Sequence, residues 1–244
     1  MLMKLFLREV PHPRTLIIGI DSVWCRPDAD TERVTRRTFP EWMFDETLLN
    51  DLPNMLNFRT LEIAGRQVAA RLGLMPPALP PNGFRVFTPP ESEYDLARAQ
   101  QHLFGQGPRK VADPQVPPVV LTDEEKGALR TPGLSWLQEI ARQAPAESLI
   151  VFVFVPAHVA SLPPIGSRAA AEYAECRRRI IDIATTRKSR VVDFRFPSAM
   201  TVSDENFWDP LHYRVPIARK IARGILAATM EGQTQAPDGS WTAQ

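Results

Sequence analysis

At 244 residues with 44% hydrophobic content, the chain is long enough to bury one large α/β core. Its 29 basic and 28 acidic residues leave a formal charge of +1 with no long run of one sign, which excludes an electrostatic nucleic-acid surface. The two cysteines, Cys25 and Cys176, stand far apart and outside any C-x-x-C or Cys/His grouping, so neither a zinc site nor a disulfide framework is expected.

No apolar run reaches the roughly 20 residues that span a bilayer. Met1 to Leu7 is too short for a signal peptide, so the chain as given reads as soluble. Thr15 to Ile20 is a continuous apolar run bounded by His12-Pro13 and Asp21-Ser22, the pattern of a strand buried on both faces. An insert over about 23–147 follows. In it, Asp45 is placed to cap a helix through Met55, and Thr60 to Leu72 puts Leu61, Ala64, Val68 and Leu72 on one helical face. Prolines cluster between residues 75 and 118, which predicts an irregular excursion, with Phe84 to Phe87 as a short extra strand. Thr122-Asp123-Glu124-Glu125 has the capping-box pattern, and Leu134, Leu137, Ile140 and Ala141 mark an amphipathic helix. Leu149 to Val155 and Val191 to Phe194 read as further parallel strands, joined by a crossover helix over Ser167 to Lys188. A last helix, Val215 to Met230, places Ile217, Ile221, Ile225 and Ala228 on one stripe, and the polar tail 233–244 is expected to be disordered. One domain over 1–232 accounts for this order.

Between the last strand and the last helix lies Asp209-Pro210-Leu211-His212. An aspartate three residues ahead of a histidine, in a loop after a strand, can orient an imidazole and stabilise its protonated form during acyl transfer. The same aspartate can equally cap the following helix while His212 merely packs.

Leu16-Ile17-Ile18-Gly19-Ile20-Asp21, the strand ending Val155-Pro156-Ala157-His158, and Val192-Asp193-Phe194 followed by Asp209-Pro210-Leu211-His212-Tyr213 together resemble the SGNH/GDSL hydrolase superfamily. The pattern is similar to that of membrane-associated bacterial SGNH-like proteins related to polysaccharide O-acetyltransferases, in which an F-P-E-W block, matched by Phe39-Pro40-Glu41-Trp42, follows the G-x-D strand. The resemblance runs from about Thr15 to Ile225, without a family signal in the Pro-rich middle. It implies a flavodoxin-like three-layer α/β/α sandwich with a parallel sheet. It also implies an esterase or O-acyltransferase with His212 as base and Asp209 as its orienter, acting on an acylated small molecule or polysaccharide, and a periplasmic or membrane-associated setting. No cofactor or metal follows from it, and a metal site through His158, Asp204, Asp209 and His212 lacks a ligand motif.

Two alignments place the nucleophile differently. In one, Ser22 in Gly19-Ile20-Asp21-Ser22 is a stretched form of the family's G-D-S. In the other, Thr15 to Ile20 corresponds to the family's third strand, the chain lacks the first strands, and the nucleophile lies on a segment upstream of Met1. The second alternative also allows a catalytically incomplete domain that binds carbohydrate or a membrane-associated partner. His158, at the end of a sheet strand, is a candidate for lining the pocket, or a loop histidine bonding the backbone. Trp208 and Tyr213, flanking the D-x-x-H, are candidates for an aromatic wall against a sugar ring, or for burial under the last helix. Asn50, Asn54 and Asn57 are candidate oxyanion donors, Asp193 is expected to hold a loop, and Arg177 to Arg179 are expected to face solvent.

Overall fold

Short apolar runs punctuated by Pro, Gly and Asp leave the chain few places to build a sheet. A computed structural model describes residues 2–30, 47–77, 88–105, 107, 111–187 and 189–244. The Phe39 to Trp42 block and the proposed strand at Phe84 to Phe87 lie outside these residues, as does Asp45. The strands are β1 (Thr15–Ile20), β2 (Leu149–Phe154), β3 (Arg190–Asp193) and β4 (Thr242–Ala243), in the order β1-β2-β3-β4. The first three are parallel, with Ile20 opposite Phe154 and Phe154 opposite Asp193, so their carboxyl ends align along one edge.

The α-helices are α1 (Leu2–Glu9), α2 (Asp51–Met55), α3 (Phe58–Arg71), α4 (Leu96–Phe104), α5 (Asp123–Ala128), α6 (Gly133–Gln143), α7 (Arg168–Thr186), α8 (Ala199–Val202) and α9 (Val215–Met230). The capping box at Thr122 forms as expected, with Thr122 Oγ1 accepting from the Glu125 backbone. Among the described residues no helix is long and apolar enough to cross a membrane.

The chain divides into two compact units, Met1–Glu32 with Thr88–Gln244 and Arg33–Phe87, the second lying within the insert read from the sequence. The second unit contains α2 and α3. The apolar stripe expected on one face of α3 is exposed at Leu61, Val68 and Leu72.

In the first unit, alternate strand residues point to opposite faces and build two cores. Leu16, Ile18, Ile20, Phe152 and Phe154 pack with Leu137 of α6 and Ile180 of α7. Val151, Val153, Val192 and Phe194 pack with Ile217 and Ile221 of α9. Central β2 is therefore apolar throughout, whereas β1, at the edge, leaves Ile17 59% exposed.

The tail expected to be disordered is instead part of the second core. Ala236 and Trp241 are buried, and β4 runs antiparallel to β3, so the sheet is mostly rather than wholly parallel. The Val191 and Gln244 backbones exchange two hydrogen bonds, of 2.9 and 3.0 Å. Trp241 and Phe194 reach Gly224 on α9 so closely that a Cβ there would lie 2.7 Å from Trp241 Nε1, which is why α9 carries glycine in its interior. Composition marked this tail as polar, but one large aromatic with a slot to fill outweighs its polar neighbours.

The two cysteines, for which no disulfide framework was expected, are joined. Cys25, in the turn Ser22–Cys25 after β1, is disulfide-bonded to Cys176 of α7 across a separation of 151 residues. Spacing along the chain carried no sign of this, because the crossover helix brings the two together only once the sheet has formed.

Two consequences are measurable. Trp241→Ala should cost about 3–5 kcal/mol in urea unfolding, whereas a free tail would give no change. Chain entropy for so long a loop sets an upper value of about 5 kcal/mol, so reduction should lower the urea midpoint, and iodoacetamide should modify both cysteines only after reduction.

Candidate functional site

The D-x-x-H segment is a closed turn. Phe207 and Tyr213 pair as an antiparallel bridge, and the Trp208 N–H donates to the His212 carbonyl at 2.8 Å, so Asp209, Pro210 and Leu211 between them are held as a loop tip. Within it, Asp209 Oδ1 accepts the backbone N–H groups of Leu211 (2.8 Å) and His212 (2.9 Å), while Oδ2 lies 2.7 Å from His212 Nδ1. One carboxylate thus orders the turn and meets the ring, but it does not cap the following helix as the alternative reading had it, since the N-cap position of α9 is Arg214.

Partial burial by itself raises the Asp209 carboxyl, but the Leu211 backbone N–H, the His212 side chain and the His212 backbone N–H together hold it below the usual carboxylate value. An ionised carboxylate only accepts, so the hydrogen on Nδ1 faces Asp209 and the neutral ring presents its lone pair at Nε2. With the His212 side chain 57% exposed, that nitrogen is open to a substrate or a nucleophile. The depressed carboxyl also gives a sign: its contribution to the turn is present above the ordinary aspartate range and is lost as pH falls through the lower, folded value.

Ser22 is exposed at the carboxyl end of β1, in a turn capped by Asp21, whose Oδ1 accepts the Val23 N–H at 2.9 Å. The only described hydrogen bond of the His212 side chain goes to Asp209, and none joins it to Ser22.

His158 is at the end of its strand as expected, but it is completely buried and so does not line an open pocket. Its Nδ1 accepts the Ala160 N–H at 3.2 Å, which puts the hydrogen on Nε2, 3.1 Å from Asp204 Oδ1. The rings of Phe104 and Phe207 meet its two sides edge-on. Its backbone N–H donates to the Pro210 carbonyl at 2.9 Å, so this histidine supports the Asp209 loop from below. Trp208 is also buried, edge-on to Tyr94 at 5.0 Å, and Tyr213 packs half-buried against the second core. The expected aromatic wall is therefore turned inward. Asn57 caps α3 through the Thr60 N–H, and the Asn54 amide bonds the Asn50 carbonyl, so both serve local structure.

Sequence reasoning missed α4, which supports the same loop from the other side. Gln100 Nε2 donates to Asp204 Oδ2 at 2.8 Å, Tyr94 Oη to the Asp204 carbonyl at 3.2 Å, and Glu91 binds both Arg214 and the Val215 N–H at the start of α9. The Arg214 guanidinium stacks 3.7 Å over the Tyr94 ring. The signal was present: Asp95 caps the helix, and Leu96, Ala99 and Leu103 repeat at helical spacing amid the prolines.

Nitrogen NMR should find neutral His212 as the Nδ1–H form and His158 as the Nε2–H form. Asp209→Ala should shift His212 toward the Nε2–H form and leave His158 unchanged. No family model matches the chain, and no similar curated protein or solved structure is found.

Proposed function

We propose that this chain is an SGNH-like hydrolase or acyltransferase domain acting on ester or acyl groups, with O-acetyl groups of a cell-surface polysaccharide as the substrate class. The observation that carries the reading is the oriented, exposed imidazole of His212 on ionised Asp209, in a loop after the third parallel strand. Helices against both faces of the sheet suit the flavodoxin-like three-layer sandwich that this reading requires. A disulfide joining Cys25 and Cys176 suits an oxidising, extracytoplasmic compartment.

In this mechanism a serine hydroxyl attacks the ester carbonyl while His212 Nε2 takes its proton. The imidazolium, stabilised by Asp209, then protonates the leaving alkoxide as the acyl-enzyme forms. Water or an acceptor hydroxyl, activated by the same nitrogen, releases the acyl group. Ser22 is the nucleophile assigned within this chain.

A second reading, a catalytically incomplete domain that binds carbohydrate or a partner protein, is favoured by two observations. Ser22 makes no hydrogen bond to His212, and among the described residues β1 has an unpaired edge, where a further strand carrying the nucleophile would add.

His212→Ala should lower hydrolysis of p-nitrophenyl acetate by about 10²–10⁴-fold with an unchanged circular dichroism spectrum; equal rates in both proteins reject His212 as the base. A fluorophosphonate that labels Ser22 in the parent but not in the variant selects the enzyme over the binding module.

A further inference from the structure

The carboxyl ends of β2 and β3 open on a second feature, separate from the D-x-x-H turn. A cavity of about 370 Å³ lies between the loop after β2, the start of the chain after β3, and α7. Leu162, Pro163, Ile165, Phe196 and Pro197 give it apolar walls, and Tyr173, Arg177 and Arg195 supply its polar groups. This volume and this mixture, an apolar body with a few convergent polar groups, are those of a small-molecule site.

The charges in it do not balance. Arg177 Nη2 pairs with Asp193 Oδ2, and Asp193 Oδ1 is taken by the Arg195 backbone N–H at 2.7 Å. The Arg195 side chain has no carboxylate partner among the described residues, and its one hydrogen bond there is a long one, 3.4 Å, from Nη1 to the Val155 carbonyl. Yet this residue is only 4% exposed. A buried guanidinium without a counter-ion is costly unless an anion completes it. Two neighbouring donors are idle as well: among the described residues, Tyr173 Oη and Arg177 Nε are buried without a hydrogen-bond partner. Burial pushes the Tyr173 phenol up, with Arg195 and then Arg177 opposing and Asp21 adding to the rise, so the hydroxyl keeps its hydrogen and can donate.

We infer that this cavity binds an apolar monocarboxylate, its carboxylate held by Arg195 with Tyr173 Oη and Arg177 Nε, and its hydrocarbon lying against Leu162, Ile165 and Phe196. A single uncompensated cation selects a monoanion over a phosphate dianion, and the walls select a hydrocarbon body. Ser22, Asp209 and His212 do not line the cavity, so the site stands independently of ester chemistry at His212.

Calorimetric titration of the full chain with octanoate, octanamide and inorganic phosphate tests this. Octanoate should bind saturably and at least about tenfold more tightly than octanamide, since a hydrogen bond to a charged group is worth about that factor or more. Tyr173→Phe removes a hydroxyl with no internal partner, so the protein should fold normally and bind octanoate about tenfold more weakly. Arg195→Gln should abolish the preference for octanoate over octanamide. Equal binding of the acid and the amide, no saturable binding of octanoate, unchanged affinity in Tyr173→Phe, or phosphate binding as tightly as octanoate would each overturn the assignment.

Discussion

Three segments of the chain meet at the buried carboxylate of Asp204. One oxygen faces His158 at the end of β2, the other the Gln100 amide on α4, and the backbone carbonyl receives the Tyr94 hydroxyl. Burying a carboxylate is tolerable only when its lone pairs are used, so this side chain constrains all three segments to one arrangement. His158, held in that way, presents its backbone N–H to Pro210 and sets the height of the D-x-x-H turn. The position of the exposed His212 ring therefore depends on a largely buried network beneath it.

The protein contains two Asp–His pairs with opposite consequences. In the Asp204–His158 pair both ring nitrogens are engaged, one by Asp204 and one by the Ala160 N–H, and the side chain is enclosed by aromatic rings. In the Asp209–His212 pair only Nδ1 is used and the ring stands out in solvent. The residue types are the same. Burial and the number of free nitrogens make the first a strut and the second a candidate base.

The three parallel strands, the crossover helix, the capping box at Thr122 and the last helix were legible because each depends on local periodicity or on a cap a few residues away, whereas β4 was not. The contact between Asp209 and the His212 ring was legible for the same reason, since the two lie three residues apart. Asp193 also met its expected role, with Oδ1 on the Arg195 N–H. The three arginines of α7 did not share one solvated face. Arg178 is exposed, but Arg177 turns in to Asp193, and Arg179 bonds the carbonyls of Lys126 and Leu129.

The sequence alone determined most of the local pieces: the three parallel strands, the crossover and last helices, and that an aspartate and a histidine lie within reach in one turn. Tertiary structure decided what no local pattern encodes. It joined Cys25 to Cys176, drew Trp241 back into a slot beside Gly224, enclosed His158 and Trp208, and left Arg195 buried without a carboxylate partner among the described residues. Pairings across tens or hundreds of residues depend on how the sheet orders its strands and where the crossover helix lands. Burial, and with it the worth of a charge or a hydrogen-bond donor, exists only after those elements have packed.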